Sequence, residues 1–393
     1  MDNVRHPSKG EIMRIAMVTD SYYPTRDGVV TSITTIKNAL ESLGHEVFVI
    51  APDPGKEFHQ KGVRYFPAIE FKRYKGYYVP IFPSNKIDIM KDLDVDVIHI
   101  HGIAVMALKG MICAHTLKVP AVITFHTLVG DTMKYYSPVP MPDDISERLV
   151  WTYLRNILKR ADAVISPTES TASELKSKGV CARDLRVIPT GIDIRRFVPG
   201  IDGSELKKKY DLEGKKVIVC VGRVSYEKEI DVLIKSMVDI DDAVLMIIGK
   251  GPATDDLKEL VTKLKVDKKV IFTGFVQDSE LVQFYGIADV SASASRFETQ
   301  GLSILEAMSC GLPVVCTNAR ALADFVKNDD NGYLFDGSSE DCSRAIRKAL
   351  CAEEAIGRNA RKTAEQFSIE LCVAKTVSLY EDVIVAKKKR LGE

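Results

Sequence analysis

Short apolar runs alternate with helix-length amphipathic stretches along the whole of this chain, and near the middle the pattern starts afresh. The runs of the first half are RIAMVTD, EVFVIAP, DVIHIHG, AVITFHT, AVISPT and RVIPTG. Between them lie stretches such as VTSITTIKNALESLG, whose apolar positions recur at helical spacing until Gly44 stops them. Strands that each feed a helix build parallel, doubly wound sheets. The second series reads KKVIVCVGRV, AVLMIIGKG, VIFTGFV, ADVSASAS and LPVVCTN, with IDVLIKSMVDI and DDLKELVTKLK as helices between. Two such series predict an α/β protein of two Rossmann-like domains whose parallel sheets face each other across a cleft. A length of 393 residues suits that division, because a single core rarely serves so long a chain. FVPGIDGSELKKKY, with Pro199, Gly200 and Gly203, reads as the linker, giving domains over 1–199 and 200–375. The last helix, over about 376–393, is expected to cross back to the first domain.

Charge narrows the choice of partner. Lysine plus arginine and aspartate plus glutamate both number 54, so no overall field calls for nucleic acid. The eight cysteines include no CxxC pair, and several sit inside apolar runs; they read as reduced, mostly buried thiols. No apolar stretch reaches the roughly 18 residues a membrane span needs, and the polar start MDNVRHPSKGE does not resemble a signal peptide. The expectation is a cytoplasmic protein that meets a membrane only from outside.

Ligands of doubly wound sheets bind beyond the carboxyl ends of strands, so residues following strands carry the chemistry. In SRFETQGLSILEAMSCGLPVVCT, Glu298 and Glu306 are separated by seven residues, and Gly301 marks the junction of loop and helix. Two glutamates there are either solvated helix charges or acceptors for ligand hydroxyls. The apolar neighbours Leu305 and Ala307 favour the second reading. In VIVCVGRVSYEKEID, Arg223 and Lys228 follow a strand directly. They are either surface charges or a clamp for a diphosphate, and their placement favours the clamp. Asp92, Asp94 and Asp96 mimic a metal-binding DxD but lead into a buried strand, and His99 and His101 share a strand face without a third ligand nearby in sequence; no metal site is expected. EFKRYKGYYVPIF interleaves Lys72, Arg73 and Lys75 with aromatic residues. SERLVWTYLRNILKRA places Arg148, Arg155, Lys159 and Arg160 beside the sole tryptophan, Trp151. These are either a packed loop and an ordinary surface helix, or an interface for an anionic membrane and a lipid acceptor.

Five stretches in order, DSYYPTRDGVVTSI, TFHT, GRVSYEK, FETQGLSILEAMSCGLPVV and NGYLF, resemble the retaining glycosyltransferases of family 4, which have the GT-B fold. The resemblance runs from about residue 12 to about residue 385. It implies that Glu298 binds the hydroxyls of the donor sugar, with backbone at Thr299, Gln300 and Gly301 meeting sugar and phosphate. It implies Glu306 on the ribose, and Arg223 and Lys228 on the diphosphate and the departing nucleotide. Gly28 is implied at the β-phosphate, His126 at the transferred sugar, and Phe275 and Val276 at the base. Glu229 departs from the family, which often has Gly or Asn there, and leaves the shape of that loop open. No cofactor is implied beyond the co-substrate, a nucleotide-diphosphate sugar, with UDP-glucose first and GDP-mannose second. TFHTLVGDTMKYY resembles diacylglycerol glycosyltransferases, so a glycolipid precursor is the expected acceptor. A soluble sugar acceptor, or a non-catalytic nucleotide-sugar-binding subunit, is the alternative. A hydride-transferring enzyme would need G-x-G-x-x-G after the first strand, and none is present.

Overall fold

The structure, a computed structural model, describes residues 10–25, 27–70, 78–81, 88–126 and 143–392. Contacts divide the described residues into two compact units, between which the chain passes at Gly191–Ile192 and again at Ser368–Ile369.

The first unit holds β1 (Arg14–Val18), β2 (Glu46–Pro52), β3 (Val63–Phe66), β6 (Val97–Ile100), β7 (Ala121–Thr124), β8 (Ala163–Ser166) and β9 (Leu185–Val187). They form one parallel sheet in the order β3-β2-β1-β6-β7-β8-β9. A separate antiparallel pair joins β4 (Ala68–Glu70) and β5 (Tyr78–Pro80). Every residue of β6, β7 and β8 is buried, which is why these strands read as unbroken apolar runs: helices cover both faces. Those helices are α1 (Gly28–Ser42), α2 (Asp88–Lys91), α3 (Val105–Leu117), α4 (Asp143–Arg160) and α5 (Glu169–Ser177). Asp27 caps α1 by accepting from the Val30 N–H at 2.9 Å. Val30, Ile33, Ile36 and Leu40 then turn one face of α1 inward.

The second unit repeats the plan. Its strands are β10 (Lys216–Val221), β11 (Ala243–Ile248), β12 (Val270–Gly274), β13 (Val290–Ser293), β14 (Val314–Thr317) and β15 (Gly332–Phe335), parallel in the order β12-β11-β10-β13-β14-β15. Its helices are α6 (Ser204–Lys209), α7 (Ile230–Ser236), α8 (Thr254–Leu264), α9 (Asp278–Ile287), α10 (Leu302–Ser309), α11 (Arg320–Phe325), α12 (Ser339–Leu350) and α13 (Glu354–Glu365). Arg361, on α13, donates to the carbonyls of Ile194 at 3.0 Å and of Phe197 and Ser309 at 2.8 Å. The residues just after the first crossing are thereby fixed to this unit, with Phe197 in its core.

The chain then returns to the first unit as α14 (Ile369–Leu391). Val373, Leu379, Tyr380, Val383 and Ile384 complete the core that β1 and α1 begin. Asp162, only 3% exposed, anchors the far end: it accepts from Arg390 at 2.6 Å, Lys387 at 3.2 Å, Arg183 at 3.4 Å and the Ala121 N–H at 2.9 Å. Among the described residues, no helix is long and apolar enough to cross a membrane. All eight cysteines are unpaired thiols, six of them buried.

Candidate active site

In an open parallel sheet the natural crevice lies where neighbouring strands send their chains to opposite faces. In the second sheet β10 and β13 are such neighbours, and Arg223, Lys228 and Glu298 follow these two strands. Beyond β10 the chain passes through Gly222, Arg223 and Ser225 into one tight turn, Tyr226–Lys228. Ser225 Oγ donates to Glu227 at 2.6 Å and the Tyr226 hydroxyl to Asp256 at 2.7 Å, so the turn is tied on both sides. Lys228 Nζ then donates to Glu298 Oε1, 2.5 Å away on the loop beyond β13. Their side chains are 30% and 18% exposed. Burial alone would pull the Lys228 ammonium down, but the Glu298 carboxylate outweighs it and the pKa stands above the ordinary lysine value.

Glycine is required in two places here. Gly249, with φ of +143°, packs against the chain beyond β10 so closely that a Cβ would lie 1.9 Å from the Gly222 carbonyl oxygen. Gly301 starts α10 with φ of +78°, and a Cβ there would meet Leu322 at 2.6 Å. Backbone at Thr299–Gly301 therefore turns into the helix without a side chain at the corner, while Gln300 is buried beneath it.

Glu229 resolves the open question about its loop. It takes the left-handed conformation, φ 48° and ψ 37°, in which Gly or Asn is at ease. Its carboxylate lies 3.2 Å from Arg296 Nε, an ion pair that helps hold the conformation. The loop shape favoured by Gly or Asn is thus adopted with a glutamate.

Glu306, one turn into α10, accepts from the Tyr285 hydroxyl at 2.9 Å. Burial pushes its pKa up to about 7, against the lowering effect of the Tyr285 bond and of Arg196. Phe275 and Val276 follow β12; Phe275 is 47% exposed, whereas Val276 packs on the core.

Gly28 and His126 belong to the first unit. Gly28 opens α1, and a Cβ there would meet nothing within 4 Å. His126 follows β7, and its Nε2 lies 3.0 Å from Nδ1 of His101, which follows β6. His99 is bound on both ring nitrogens, to the Tyr380 hydroxyl at 2.5 Å and the Thr124 hydroxyl at 2.6 Å. Burial lowers His126 to about 4 and, with His126 nearby, His99 to about 3. Both are neutral imidazoles at neutral pH. Asp96 accepts from the Arg14 N–H at 2.6 Å and Asp94 lies 3.7 Å from Arg14, so these two aspartates brace the start of β1.

The acceptor-side expectations fare differently. Lys72, Arg73 and Lys75 lie outside the described residues, as does the TLVGDTMKYY stretch after His126. Trp151 does not reach the surface: it is 4% exposed, inside the core of the first unit. Arg155 donates to the Lys178 carbonyl at 3.2 Å and to Thr152 at 3.1 Å. The exposed face of α4 is made instead by Ile145, Arg148, Leu149, Tyr153, Lys159 and Arg160.

The sequence matches two family descriptions, Glycosyltransferase Family 4 over residues 26–196 and Glycosyl transferases group 1 over residues 202–366. It is 32% identical over 352 residues to the alpha-monoglucosyldiacylglycerol synthase of Streptococcus pneumoniae, covering 86% of this chain and 79% of that protein. It is 30% identical to the enzyme of the same name from Acholeplasma laidlawii, over 97% of this chain and 100% of that one. In fold it is similar to Anabaena Alr3699/HepE, solved in complex with UDP and glucose, with a TM-score of 0.77 and 20% identity over 93% and 99% of the two chains. The chain therefore belongs to glycosyltransferase family 4 and is a hexosyltransferase of the GT-B fold.

Proposed function

We propose that this protein moves a hexose from UDP-glucose, with GDP-mannose the second donor to test, onto a hydroxyl of a diacylglycerol-type lipid. The anomeric configuration is retained and no metal takes part. The observation that carries the reading is the Lys228–Glu298 pair at the β10–β13 crevice, a cation and a carboxylate held 2.5 Å apart. Glu298 takes the sugar hydroxyls. Lys228 and Arg223 take the diphosphate, Glu306 the ribose, and the chain after β12 the base. Backbone at Gly28 takes the β-phosphate and His126 the transferred sugar. In the reaction the bond from the anomeric carbon to the phosphate oxygen breaks, and the acceptor oxygen bonds to that carbon on the same face. The acceptor proton passes to the departing phosphate, whose growing charge Lys228 and Arg223 stabilise. The neutral state of His126 suits a hydrogen-bonding rather than an ion-pairing role at the sugar.

The test is a thermal-shift series with UDP, GDP and ADP and their sugar conjugates. A ligand that binds only the folded chain raises Tm by mass action, by about 2.7 kcal/mol of stability at a hundred times its Kd. UDP is expected to give the largest shift, and Arg223→Ala to remove most of it. No shift with any nucleotide would overturn the donor assignment.

The lipid acceptor is supported by the two synthases and by the outer face of α4. Ile145, Leu149 and Tyr153, spaced four residues apart, are 49%, 57% and 39% exposed, with the cations Arg148, Lys159 and Arg160 on the same face. An apolar stripe with a basic flank suits an anionic bilayer surface and supports the reading of a peripheral enzyme at the cytoplasmic face of a membrane. Leu149→Glu is expected to weaken co-sedimentation with phosphatidylglycerol vesicles at least fivefold while leaving the UDP shift intact. Unchanged vesicle binding would remove α4 from the interface.

A further inference from the structure

We propose that Tyr285 is a positioning residue of the donor site: its hydroxyl aims the Glu306 carboxylate at the ribose of the nucleotide. The proposal rests on the reading of Glu306 as the ribose ligand.

Tyr285 stands on α9 and Glu306 on α10, so their meeting is tertiary. The Tyr285 hydroxyl lies 2.9 Å from Glu306 Oε2 and 3.0 Å from the Ser303 carbonyl oxygen. Among the described residues it is the only hydrogen-bond partner of the Glu306 side chain, which leaves Oε1 for a ligand. Tyr285 itself cannot swing. It is 1% exposed, and the Phe197 ring meets it edge-on at 5.7 Å. Phe197 is held in turn through its carbonyl, which accepts from Arg361 at 2.8 Å and from the Ser309 hydroxyl at 2.7 Å. A carboxylate on a helix would otherwise sample several rotamers, and each bond to a rigid partner removes that freedom before the ligand arrives.

The phenol carries one proton and faces two acceptors, which gives Glu306 a partner in either state. When Glu306 is ionised, the phenol proton goes to the carboxylate. When Glu306 is protonated, its own proton can go to the phenol oxygen and the phenol proton to Ser303. The charged form gains more from the arrangement, because hydrogen bonds to charged groups are the stronger ones. The charges around the pair are few. Arg196, whose guanidinium donates to the Asp278 carbonyl, draws the Glu306 pKa down, and the Asp278 carboxylate pushes it up. The nearby thiols of Cys310 and Cys220, each pushed up to about 12 chiefly by burial, stay neutral. Removing the phenol therefore raises a carboxyl already near neutrality, and moves the loss of nucleotide binding to higher pH.

The experiment titrates the full chain with UDP and with 2′,3′-dideoxyuridine diphosphate, and GDP with its dideoxy counterpart, across pH 5.5–9. The variants are Tyr285→Phe, Glu306→Gln and the double substitution. The parent should bind the ribose form about tenfold more tightly than the dideoxy form, one good hydrogen-bonded contact to a charged group. Glu306→Gln should lose that preference, Tyr285→Phe should lose most of it, and the double should fall no further than Glu306→Gln. In Tyr285→Phe the acid limb of UDP binding should move up by about one pH unit. Incorporating 3,5-difluorotyrosine at 285, a stronger donor in the same place, should move it down while Tm stays level. A role confined to packing would shift neither limb nor preference. Loss of ribose preference in Glu306→Gln but not in Tyr285→Phe would overturn the role of Tyr285 and leave Glu306 as the ribose ligand. Preference retained in Glu306→Gln would overturn the ribose assignment and the inference together.

Discussion

Lys228→Ala is expected to lower kcat/KM for hexose transfer by about a thousandfold, roughly 4 kcal/mol of transition-state stabilisation, with little change in Tm. Two losses add together in that number. In the proposed mechanism the ammonium no longer meets the charge growing on the departing diphosphate, and Glu298, proposed for the sugar, loses the partner 2.5 Å away that holds it. Because one contact serves both, the effects of Lys228→Ala and Glu298→Ala should not sum: the double variant should fall close to the worse single one. The fold should tolerate the change, since the pair sits on partly exposed loops rather than in either apolar core. Steady-state kinetics with UDP-glucose, alongside thermal melts, decide the matter. Turnover within tenfold of the parent would remove Lys228 from the chemistry, whatever the melting curve showed.

Asp162→Ala is the substitution expected to cost the most stability, about 3 kcal/mol, because it strips the buried end of an ion cluster and leaves its cations facing one another. The carboxylate is 3% exposed, while Lys387, Arg390 and Arg183 are 21%, 42% and 55% exposed and recover some hydration when released. That recovery places the loss at the lower end of the usual range for a broken buried pair. Burial alone would raise the Asp162 pKa; the Ala121 N–H, Lys387 and Arg390 reverse this and hold it below the ordinary 3.8. A carboxylate with a depressed folded pKa contributes its full stability above the unfolded value, and loses it as pH falls through the folded one. The parent should therefore weaken below about pH 4 more steeply than Asp162→Asn does. Hydrogen exchange should locate the damage in the last turns of α14 and the start of β7. Equal acid profiles, or exchange that rises evenly over the whole chain, would refute the anchor.

Most parallel strands were legible because burial on both faces writes them as continuous apolar runs, as in β1, β2, β6–β8, β10, β11 and β14; β9, β12 and β13 were read from the weaker runs RVIPTG, VIFTGFV and ADVSASAS. The short strands VRYF and GYLF are interrupted by polar or aromatic positions and lack that mark. Residues that follow strands were legible for a related reason, since topology fixes where such loops emerge. Lys228 and Glu298 meet as strand order requires, although 70 residues part them. What pattern cannot convey is which side chain leans on which. Tyr285 sits in FYGIAD and reads as one more core aromatic; nothing local marks it as the partner of Glu306. In α4 large apolar residues occupy two faces, Trp151, Leu154 and Leu158 on one and Ile145, Leu149 and Tyr153 on the other. Helical spacing alone suits either face as the outer one, and Trp151 lies on the buried one.

The return of the chain as α14 also sets an order of events during synthesis. Among the described residues the second unit runs unbroken from Ile192 to Ser368 and can close its core as soon as Ser368 has left the ribosome. The first unit begins to emerge before the second but must wait, because the layer carrying Leu379, Tyr380 and Val383, and two of the cations that neutralise Asp162, belong to α14 and follow the second unit in sequence. Until then the faces of β1 and α1 meant for that layer stand open to solvent and to passing chaperones. Of the two units, the one whose translation starts earlier is completed after the other.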